Sequence, residues 1–472
     1  MIMWKHWRLA YCLFLFSCGV HAAAPPAVAL YYGDKPPLDE LRAFDVVVVD
    51  PDHRGLDPAA YRRHDSELFA YVSVGEVRPE KPYYRQIPAG WMSGENKAWG
   101  SRVLDQSQAD WPRFFADRVI APLWAKGYRG FFFDTLDSYQ LVADTPEKRK
   151  RQEEGLKAAI REVKQRWPDA RLIFNRGFEI LPDVHQYVWM VAAESLFKGW
   201  DAGNQRFVDV SPPDRDWLLG QLQKVRTDYR LPVLVIDYLP ARQRQQARDT
   251  ARQIRAAGFI PYVTTPNLDL LGVGAVEVAP RKVLVMYNPK ESEGLPYSDV
   301  QRFLSMPLGY LGLVMEYQSV DAPLPDYPLQ GRYAGIVSWF NADNARAPAY
   351  ADWLAKKIDE GIPVAVFGHF GFGQNTAMFD KLGLTYRMEP VSDRLKITDA
   401  TSMMGFEVPL QPRPTDLYPV SLTGEGQAQM TLASDTTLYH PAAITPWGGY
   451  VLAPYTVDLL DRVDNSTRWY VN

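Results

Sequence analysis

Eight short apolar runs, each followed by a helical pattern, recur along the first 265 residues of the chain. Alternation of strands and helices predicts a parallel sheet with right-handed crossover connections. Eight such units favour closure into a (β/α)8 TIM barrel over residues 25–275, and a doubly wound open sheet is the alternative. Against the open sheet, Tyr31-Tyr32-Gly33-Asp34 is not a Gly-rich dinucleotide turn. The predicted strands are Val28–Tyr32, Val46–Asp50, Leu68–Gly75, Gly130–Asp134, Arg171–Asn175, Val188–Ala193, Pro232–Tyr238 and Phe259–Thr264.

Acidic residues stand at or just after the carboxyl ends of these runs. They are Asp50, Glu76, Asp134, Asp137, Glu194 and Asp237. In a TIM barrel all strand ends meet on one face, where the active site lies, so carboxylates that are distant in sequence converge. A single acid at a strand end more often caps the next helix or pairs with arginine, but that explanation weakens when the pattern recurs. The pattern predicts acid–base chemistry on a neutral or cationic substrate.

Asp134 and Glu194 form the strongest candidate catalytic pair. Glycoside hydrolysis uses two carboxyl groups, one to protonate the leaving oxygen and one to attack the sugar or activate water. Strands four and six are separated by one strand, so their ends can approach to about 5–10 Å, which spans retaining and inverting pairs. We therefore predict that both side chains face one cleft.

Candidate substrate-binding residues surround this pair. Glu76 is suited to supporting the acid or binding a sugar hydroxyl, and a buried ion pair is its alternative role. Asp50 and Asp237 can bind hydroxyl or amino groups, while Asp137 is close enough in sequence to exchange roles with Asp134. Side chains suited to hydrogen bonding or ring stacking complete the set: Tyr31, Tyr71, Asn175, Trp200 and Tyr238.

Two long connections, residues 77–110 and 195–214, are rich in aromatic side chains. Loops of this length in a compact domain are usually functional or disordered, and aromatic content argues against disorder. We expect a sugar-stacking platform, with a small satellite core beneath the loops as the alternative. The candidates are Tyr83, Tyr84, Trp91, Trp99 and Trp200.

A second unit is predicted over residues 281–472, as a smaller flavodoxin- or amidotransferase-like α/β domain with a strand-rich C-terminal part. Its predicted strands begin with Val283–Tyr287, Tyr310–Glu316, Ala334–Phe340 and Pro363–Phe367. The Gly-rich turn Gly368–Gly373 fits no phosphate loop, and no cysteine nucleophile is present, so we expect no chemistry here. We expect the aromatics Trp339, Tyr350 and Trp447 to be exposed and to form a contact surface. The chain stops without a closing element, which suggests that the natural protein continues.

Residues 1–24 have the pattern of a secretory signal peptide: Lys5 and Arg8 precede the apolar run 9–20, and small residues follow. A membrane anchor is the alternative, but the run is short for a span. Both cysteines, Cys12 and Cys18, lie here, so the mature chain has neither disulfide nor thiolate chemistry. The seven histidines lack zinc-site spacing, and we expect no metal or cofactor. The net charge of −4 argues against nucleic-acid binding, and we expect a periplasmic or secreted protein without a transmembrane segment.

Three segments carry a family resemblance: Tyr71–Glu76, Gly130–Tyr139 and Asn175–Glu179. Over residues 28–265 the chain resembles endo-alpha-1,4-polygalactosaminidase-type glycoside hydrolases. The resemblance implies a periplasmic TIM-barrel enzyme that cleaves inside chains of a partly deacetylated N-acetylgalactosamine exopolysaccharide of the Pel type, a biofilm polymer. It matches Asp134 to the strand-four acid and Glu194 to the strand-six carboxylate. Related proteins also carry a deacetylase domain, whose metal motif is absent from this sequence.

These observations together predict an exported endo-glycosidase of the retaining type. Glu194 is the first choice for the nucleophile and Asp134 for the acid/base, although their roles are open to exchange. Two rival hypotheses remain: a non-catalytic glycan-binding scaffold on the same barrel, or an assembly protein whose second domain docks an outer-membrane export partner. Fold alone does not decide between them.

Overall fold

The computed structural model describes residues 25–62, 65–373, 375–387, 396–400, 420–434, 437–452, 457–458 and 468–469. Residues 1–24, predicted as a signal peptide, lie outside the described part. The described chain is mostly α/β and contains two large sheets, one of nine strands and one of eight. The nine-stranded sheet carries the candidate site.

The eight predicted strands of the first sheet are present, and they pair in parallel in chain order. We number them β1 to β8: Val28–Tyr31, Val46–Val49, Glu67–Ser73, Gly130–Asp134, Arg171–Asn175, Met190–Glu194, Val233–Tyr238 and Ile260–Thr264. The ninth, Val273–Gly274, pairs antiparallel with β8. Contacts near β1 nearly close the sheet, because the Tyr32 N–H donates to the Leu268 carbonyl and the Tyr262 hydroxyl donates to the Leu30 carbonyl. The result is a TIM-barrel-like sheet.

Helices surround the sheet at the positions between the strands. Two long ones begin with a side-chain cap, because the hydroxyls of Thr145 and Ser211 accept the N–H groups of Lys148 and Asp214. The α-helices of this region are Leu38–Leu41, Pro58–Arg62, Trp111–Phe114, Ala121–Ala125, Pro146–Arg166, Leu181–Val184, Pro212–Asp228 and Arg244–Ala256. Small antiparallel strands follow β3 and β6: Glu76–Val77, Met92–Asn96, Ser101–Leu104, Lys198–Asp201 and Arg206–Asp209.

One helix departs from regular geometry. Between Trp111–Phe114 and Ala121–Ala125 the chain forms a wide π-turn, Phe115–Ile120. Pro122 has no N–H to donate to a preceding carbonyl, which explains a local break in the backbone hydrogen bonds of the helix. The apolar side chains of Phe115 and Ile120 stay buried through the turn, so the amphipathic pattern survives the irregular backbone.

The second sheet contains the strands that we number β9 to β16. In chain order they are Lys282–Tyr287, Val314–Ser319, Tyr333–Phe340, Val364–Gly368, Lys396–Ala400, Gln427–Ala433, Leu438–Thr445 and Gly448–Leu452. Their order in the sheet is β10-β9-β11-β12-β16-β15-β14-β13, with the first five parallel and the last three antiparallel. The helices are Ser305–Tyr310, Ala347–Asp359 and Thr376–Lys381. The flavodoxin or amidotransferase likeness and the predicted domain limits stay predictions.

One expectation for this second region is wrong, and one predicted strand is displaced along the chain. Trp339, Tyr350 and Trp447 are buried rather than exposed, because all three pack in the hydrophobic cores around the sheet. The apolar run predicted as a strand over Tyr310–Glu316 instead ends the helix Ser305–Tyr310 and begins β10 at Val314. A short apolar run does not distinguish the two structures by periodicity.

The tight packing between barrel elements generates a paired prediction. A Cβ at Gly155 would lie 1.8 Å from the Gln106 carbonyl oxygen, whereas a Cβ at Gly220 would meet no atom within 4 Å. Both glycines lie inside long helices. We expect Gly155→Ala to lower the free energy of unfolding by about 1–3 kcal/mol through overpacking.

The same substitution at Gly220 is the matched control. Gly220→Ala should raise the free energy of unfolding by about 0.5–1 kcal/mol, since alanine is the better helix former and the site is open. Chemical denaturation of both variants measures whether the free energy of unfolding falls or rises. A stabilised Gly155→Ala protein would show that the close approach to Gln106 relaxes without cost.

Candidate active site

A cleft with a volume of about 380 Å³ opens at the carboxyl ends of the barrel strands. Side chains along a strand alternate between the barrel interior and the surrounding helices. Phe132 and Asp134 of β4 therefore line the same cleft, while the alternate residues Phe131 and Phe133 pack outward on Trp124 and Phe115, respectively. This alternation decides which strand-end residue reaches the cleft.

Asn175 at the end of β5 connects the two carboxylates that the sequence singles out. Its side-chain nitrogen donates to Asp134 Oδ1 at 2.8 Å and to Glu194 Oε1 at 2.7 Å. Two oxygens at these distances from one nitrogen lie no more than about 5.5 Å apart, a limit closer to the separation of about 5–5.5 Å in retaining glycosidases than to that of about 6.5–9.5 Å in inverting ones. The two acids are thus close enough to act on one bond.

Two tyrosines bind the remaining oxygens of the pair. The Tyr71 hydroxyl donates to Asp134 Oδ2 at 2.8 Å, and the Tyr238 hydroxyl donates to Glu194 Oε2 at 2.7 Å. Each carboxylate therefore accepts one amide and one phenol hydrogen bond. These neutral donors hold the two groups in place without cancelling their negative charge.

Burial raises the pKa of both carboxyl groups above the usual value, because desolvation penalises the charged form. For Glu194 the next largest cause is the nearby Asp134 charge, which raises its pKa further. The tyrosine and asparagine hydrogen bonds act in the opposite direction on both groups. The environment therefore favours a pair that shares a single proton.

The backbone turns sharply directly after three residues of this site. Thr135, Arg176 and Ser195 follow Asp134, Asn175 and Glu194, and their φ angles are +61°, +59° and +63°. Non-glycine residues rarely adopt this left-handed conformation, which concentrates at functional positions and costs of order 1–3 kcal/mol per residue. Tertiary bonds hold the turns, including a hydrogen bond of 2.9 Å from the Gly75 N–H to the Thr135 hydroxyl.

Glu76 lines the cleft but already has several hydrogen-bond partners. Its buried carboxylate accepts from Asn96 at 3.0 Å, from Ser138 at 2.6 Å and from Ser101. These donors come from the insertion after β3 and from the segment after β4. Glu76 therefore connects the insertion to the barrel through neutral donors rather than through the ion pair that the sequence allowed.

The described residues include no group of three or more histidine, cysteine or acidic side chains arranged to hold a metal ion. In the same part of the chain, no helix has both the length and the apolar character needed to cross a membrane.

Comparison with known proteins agrees with this geometry. Residues 20–284 match the model of glycoside-hydrolase family GH114. The chain belongs to this glycoside-hydrolase family. It is 39% identical to the glycoside hydrolase domain of PelA from Pseudomonas aeruginosa, a match that covers 54% of this chain and all of that domain with a TM-score of 0.50. The predicted family is confirmed.

Two more distant similarities accompany this match. An uncharacterized protein of Deinococcus radiodurans is 28% identical over 251 residues, which are 48% of this chain and 75% of that protein. Ega3 of Aspergillus fumigatus, solved in complex with galactosamine, is 18% identical over 52% of this chain and 91% of its own, with a TM-score of 0.38.

Several predicted site residues lie in or beside the cleft of this GH114 barrel. The cleft is lined by Asp50, Tyr71, Glu76 and Tyr238 together with Asp134 and Glu194. Asn175 donates hydrogen bonds to both Asp134 and Glu194. Trp99 and Tyr83 also line the cleft, from the long connection after β3. Trp91 instead packs edge-on against Trp111 and Phe114, at the edge of the main barrel core.

Four predicted residues lie away from the cleft lining. Tyr31 points outward, where its hydroxyl meets Arg332 of the second region at 3.4 Å. Asp237 is fully buried and accepts backbone N–H groups after β6. Asp137 is near the cleft, where burial raises its pKa and the Arg176 charge opposes that shift. Trp200 packs on Phe207 in the hairpin after β6.

Tyr32 is a cleft residue that the sequence reasoning missed. Its ring packs on Tyr71 with a centroid separation of 4.9 Å, and it lines the cleft from β1. Strand alternation puts Leu30 and Tyr32 on one face and Tyr31 on the other, but every residue of β1 is buried, so the sequence does not show which face is the interior. Lys81 and Asn267 also line the cleft, but they stand in loops where no periodicity identifies them.

The buried Asp237 carboxylate generates a prediction about the chain that leaves Glu194. It accepts the N–H groups of Leu196, Phe197 and Lys198 at 2.7, 3.0 and 2.9 Å. In Asp237→Asn an amide –NH2 must face at least one of these N–H groups. We expect a loss of about 1–3 kcal/mol in the free energy of unfolding, measured by denaturation, and slower hydrolysis because Glu194 loses its fixed turn.

Thr264→Val is the matched control, since Thr264 is equally buried on neighbouring β8 and bonds to the Leu270 carbonyl. It should lose stability while hydrolysis at a temperature where the protein is folded stays unchanged. Equal activity in both variants would mean that Asp237 does not position Glu194.

Proposed function

We propose that the barrel is an endo-acting glycoside hydrolase that cleaves partly deacetylated N-acetylgalactosamine polysaccharide of the Pel type with retention of configuration. The observation that carries this proposal is the acid pair bridged by Asn175. Membership of a glycoside-hydrolase family, the motifs around the pair and the likeness to the PelA hydrolase domain support it. The short separation of the two acids supports a double-displacement mechanism. In inverting enzymes the two carboxyl groups lie about 6.5–9.5 Å apart, which leaves room for a water molecule.

In this mechanism one carboxylate attacks the anomeric carbon while the other protonates the departing glycosidic oxygen. The sugar is then bound covalently to the enzyme, and the second carboxylate removes a proton from the water that releases it. We assign Asp134 as nucleophile and Glu194 as acid/base, the reverse of the first choice from sequence. The pKa of Glu194 supports this choice, since burial raises it and the Asp134 charge raises it further.

The sequence features outside the barrel extend this proposal. We infer a periplasmic or secreted location from the signal-like residues 1–24, and a non-catalytic role for the region after Arg281. An outer-membrane export or assembly partner, and a purely glycan-binding role for the barrel, remain the alternatives. Release of oligosaccharides from purified polymer separates hydrolysis from binding alone.

Removing either carboxylate should abolish most hydrolysis. We expect Asp134→Asn and Glu194→Gln to lower kcat by at least about a hundredfold on galactosamine oligomers, with folding unchanged. Product release measured by mass spectrometry reports the loss, and circular dichroism reports the fold. Full activity in either variant would contradict the proposed pair.

Azide rescue then assigns the two roles. With an oligomeric α-galactosaminyl fluoride, Asp134→Ala should form the β-azide by direct displacement. Glu194→Ala should form the α-azide, because azide attacks the covalent intermediate. The opposite pattern of products would return the nucleophile to Glu194.

The pH dependence of kcat/KM gives an independent test. Tyr71→Phe removes a donor that lowers the pKa of Asp134, so the acid limb should move to higher pH by about one unit. Tyr238→Phe removes the corresponding donor from Glu194, which must be protonated, so the basic limb should move to higher pH. If Tyr71→Phe moves the basic limb and Tyr238→Phe moves the acid limb, the roles of Asp134 and Glu194 are reversed.

A further inference from the structure

An ammonium group is already bound in the wall of the cleft. Lys81 Nζ lies 2.6 Å from Asp52 Oδ2 and 3.4 Å from Asp50 Oδ1. The Lys81 side chain is 20% exposed, and both Lys81 and Asp50 line the cleft. This position therefore accommodates a cationic amine between carboxylates.

Asp50 differs from the other carboxylates that line the cleft. Asp134 and Glu194 form the proposed catalytic pair, and Glu76 accepts three side-chain hydrogen bonds. Asp50 Oδ1 accepts the Asp52 N–H at 3.0 Å and the long Lys81 contact, while its Oδ2 has no hydrogen-bond partner among the described residues. With 32% of its side chain exposed, it has room for a further cation.

Asp50 shares one cleft with the proposed catalytic pair, because Asp50, Asp134 and Glu194 all line it. Tyr32 lines the same cleft and packs on Tyr71, whose hydroxyl donates to Asp134. Burial raises the pKa of the Tyr32 phenol, and the charges of Asp134, Glu194 and Asp50 raise it further, in agreement with this shared lining. A sugar held by the pair, or the sugar next to it, can present its amine to Asp50.

We propose that Asp50 recognises a free amine of the galactosamine polymer and that Lys81 is a built-in competitor for that carboxylate. This inference rests on the proposed function and adds the residue that distinguishes deacetylated from acetylated sugars. A protonated amine displaces Lys81 Nζ from Asp50 and leaves it with Asp52, its closer partner. An acetamide carries no charge, so its N–H gains only a weaker hydrogen bond from Asp50 and does not displace the lysine.

Asp50→Asn should therefore lower kcat/KM selectively. On fully deacetylated oligomers we expect a loss of about tenfold to a hundredfold, the range for a hydrogen bond between charged groups. On oligomers whose cleaved region is N-acetylated we expect a change below about threefold. An equal loss of kcat/KM on both substrates would contradict recognition of the amine by Asp50.

Lys81→Met keeps the aliphatic stem and removes the competing charge. It should raise the affinity for deacetylated oligomers by several-fold and leave acetylated ones unchanged. Lys290→Met is the matched control, because it makes the same change of net charge in the second region, where Lys290 contacts Asp321 at 3.3 Å. Weaker binding of deacetylated oligomers by Lys81→Met would show that Lys81 supports the site rather than competing for it.

Binding measurements keep this inference separate from the proposed hydrolysis. Calorimetric titration of deacetylated and acetylated oligomers into Glu194→Gln, with and without Asp50→Asn, reports amine recognition without turnover. If the protein with all native residues cleaves neither oligomer, the proposed hydrolysis is wrong. A selective loss of binding of the deacetylated oligomer in the double variant would still support recognition of the amine by Asp50. Equal binding of both oligomers by the single and double variants would overturn it.

Discussion

The shared hydrogen bonds of Asn175 are the interaction on which the candidate site depends. Two carboxyl groups buried within about 5.5 Å of each other repel when both are charged, and burial penalises each charge. One amide and two phenols supply four hydrogen bonds to the pair without adding a positive charge. The hydrogen bonds hold both groups side by side, while burial still leaves their pKa values above the usual range.

The barrel provides this arrangement through its alternation of side chains. Tyr71, Asp134, Asn175, Glu194 and Tyr238 come from five strands, and each occupies a strand position that faces the axis. The neighbours of these residues face the helices and secure the frame: Phe133 packs against Phe174, and Asp237 binds the turn after Glu194. Site and scaffold thus use alternate residues of the same strands.

Much of this could be predicted from the sequence, because apolar runs with acidic ends indicate both the strands and the face on which they end. The eight barrel strands and the proximity of Asp134 to Glu194 follow from that pattern. The pattern does not show whether Tyr31 or Tyr32, or whether Asp237 or Tyr238, faces the barrel axis. A shift of one residue along a strand reverses the side on which a side chain lies. The burial of Trp339 and Tyr350 was also beyond reach, because aromatic content alone does not distinguish a core from a contact surface.

The left-handed turns at Arg176 and Ser195 have a consequence for protein engineering. Glycine or asparagine tolerates this conformation better than the native residues, so a search for thermostabilising substitutions would select these positions early. Such variants would gain stability by relieving strain in the turns that follow the bridging amide and Glu194. At Thr135 the same change would remove the hydroxyl that accepts the Gly75 N–H, so only the other two turns offer a more heat-resistant barrel at the expense of turnover.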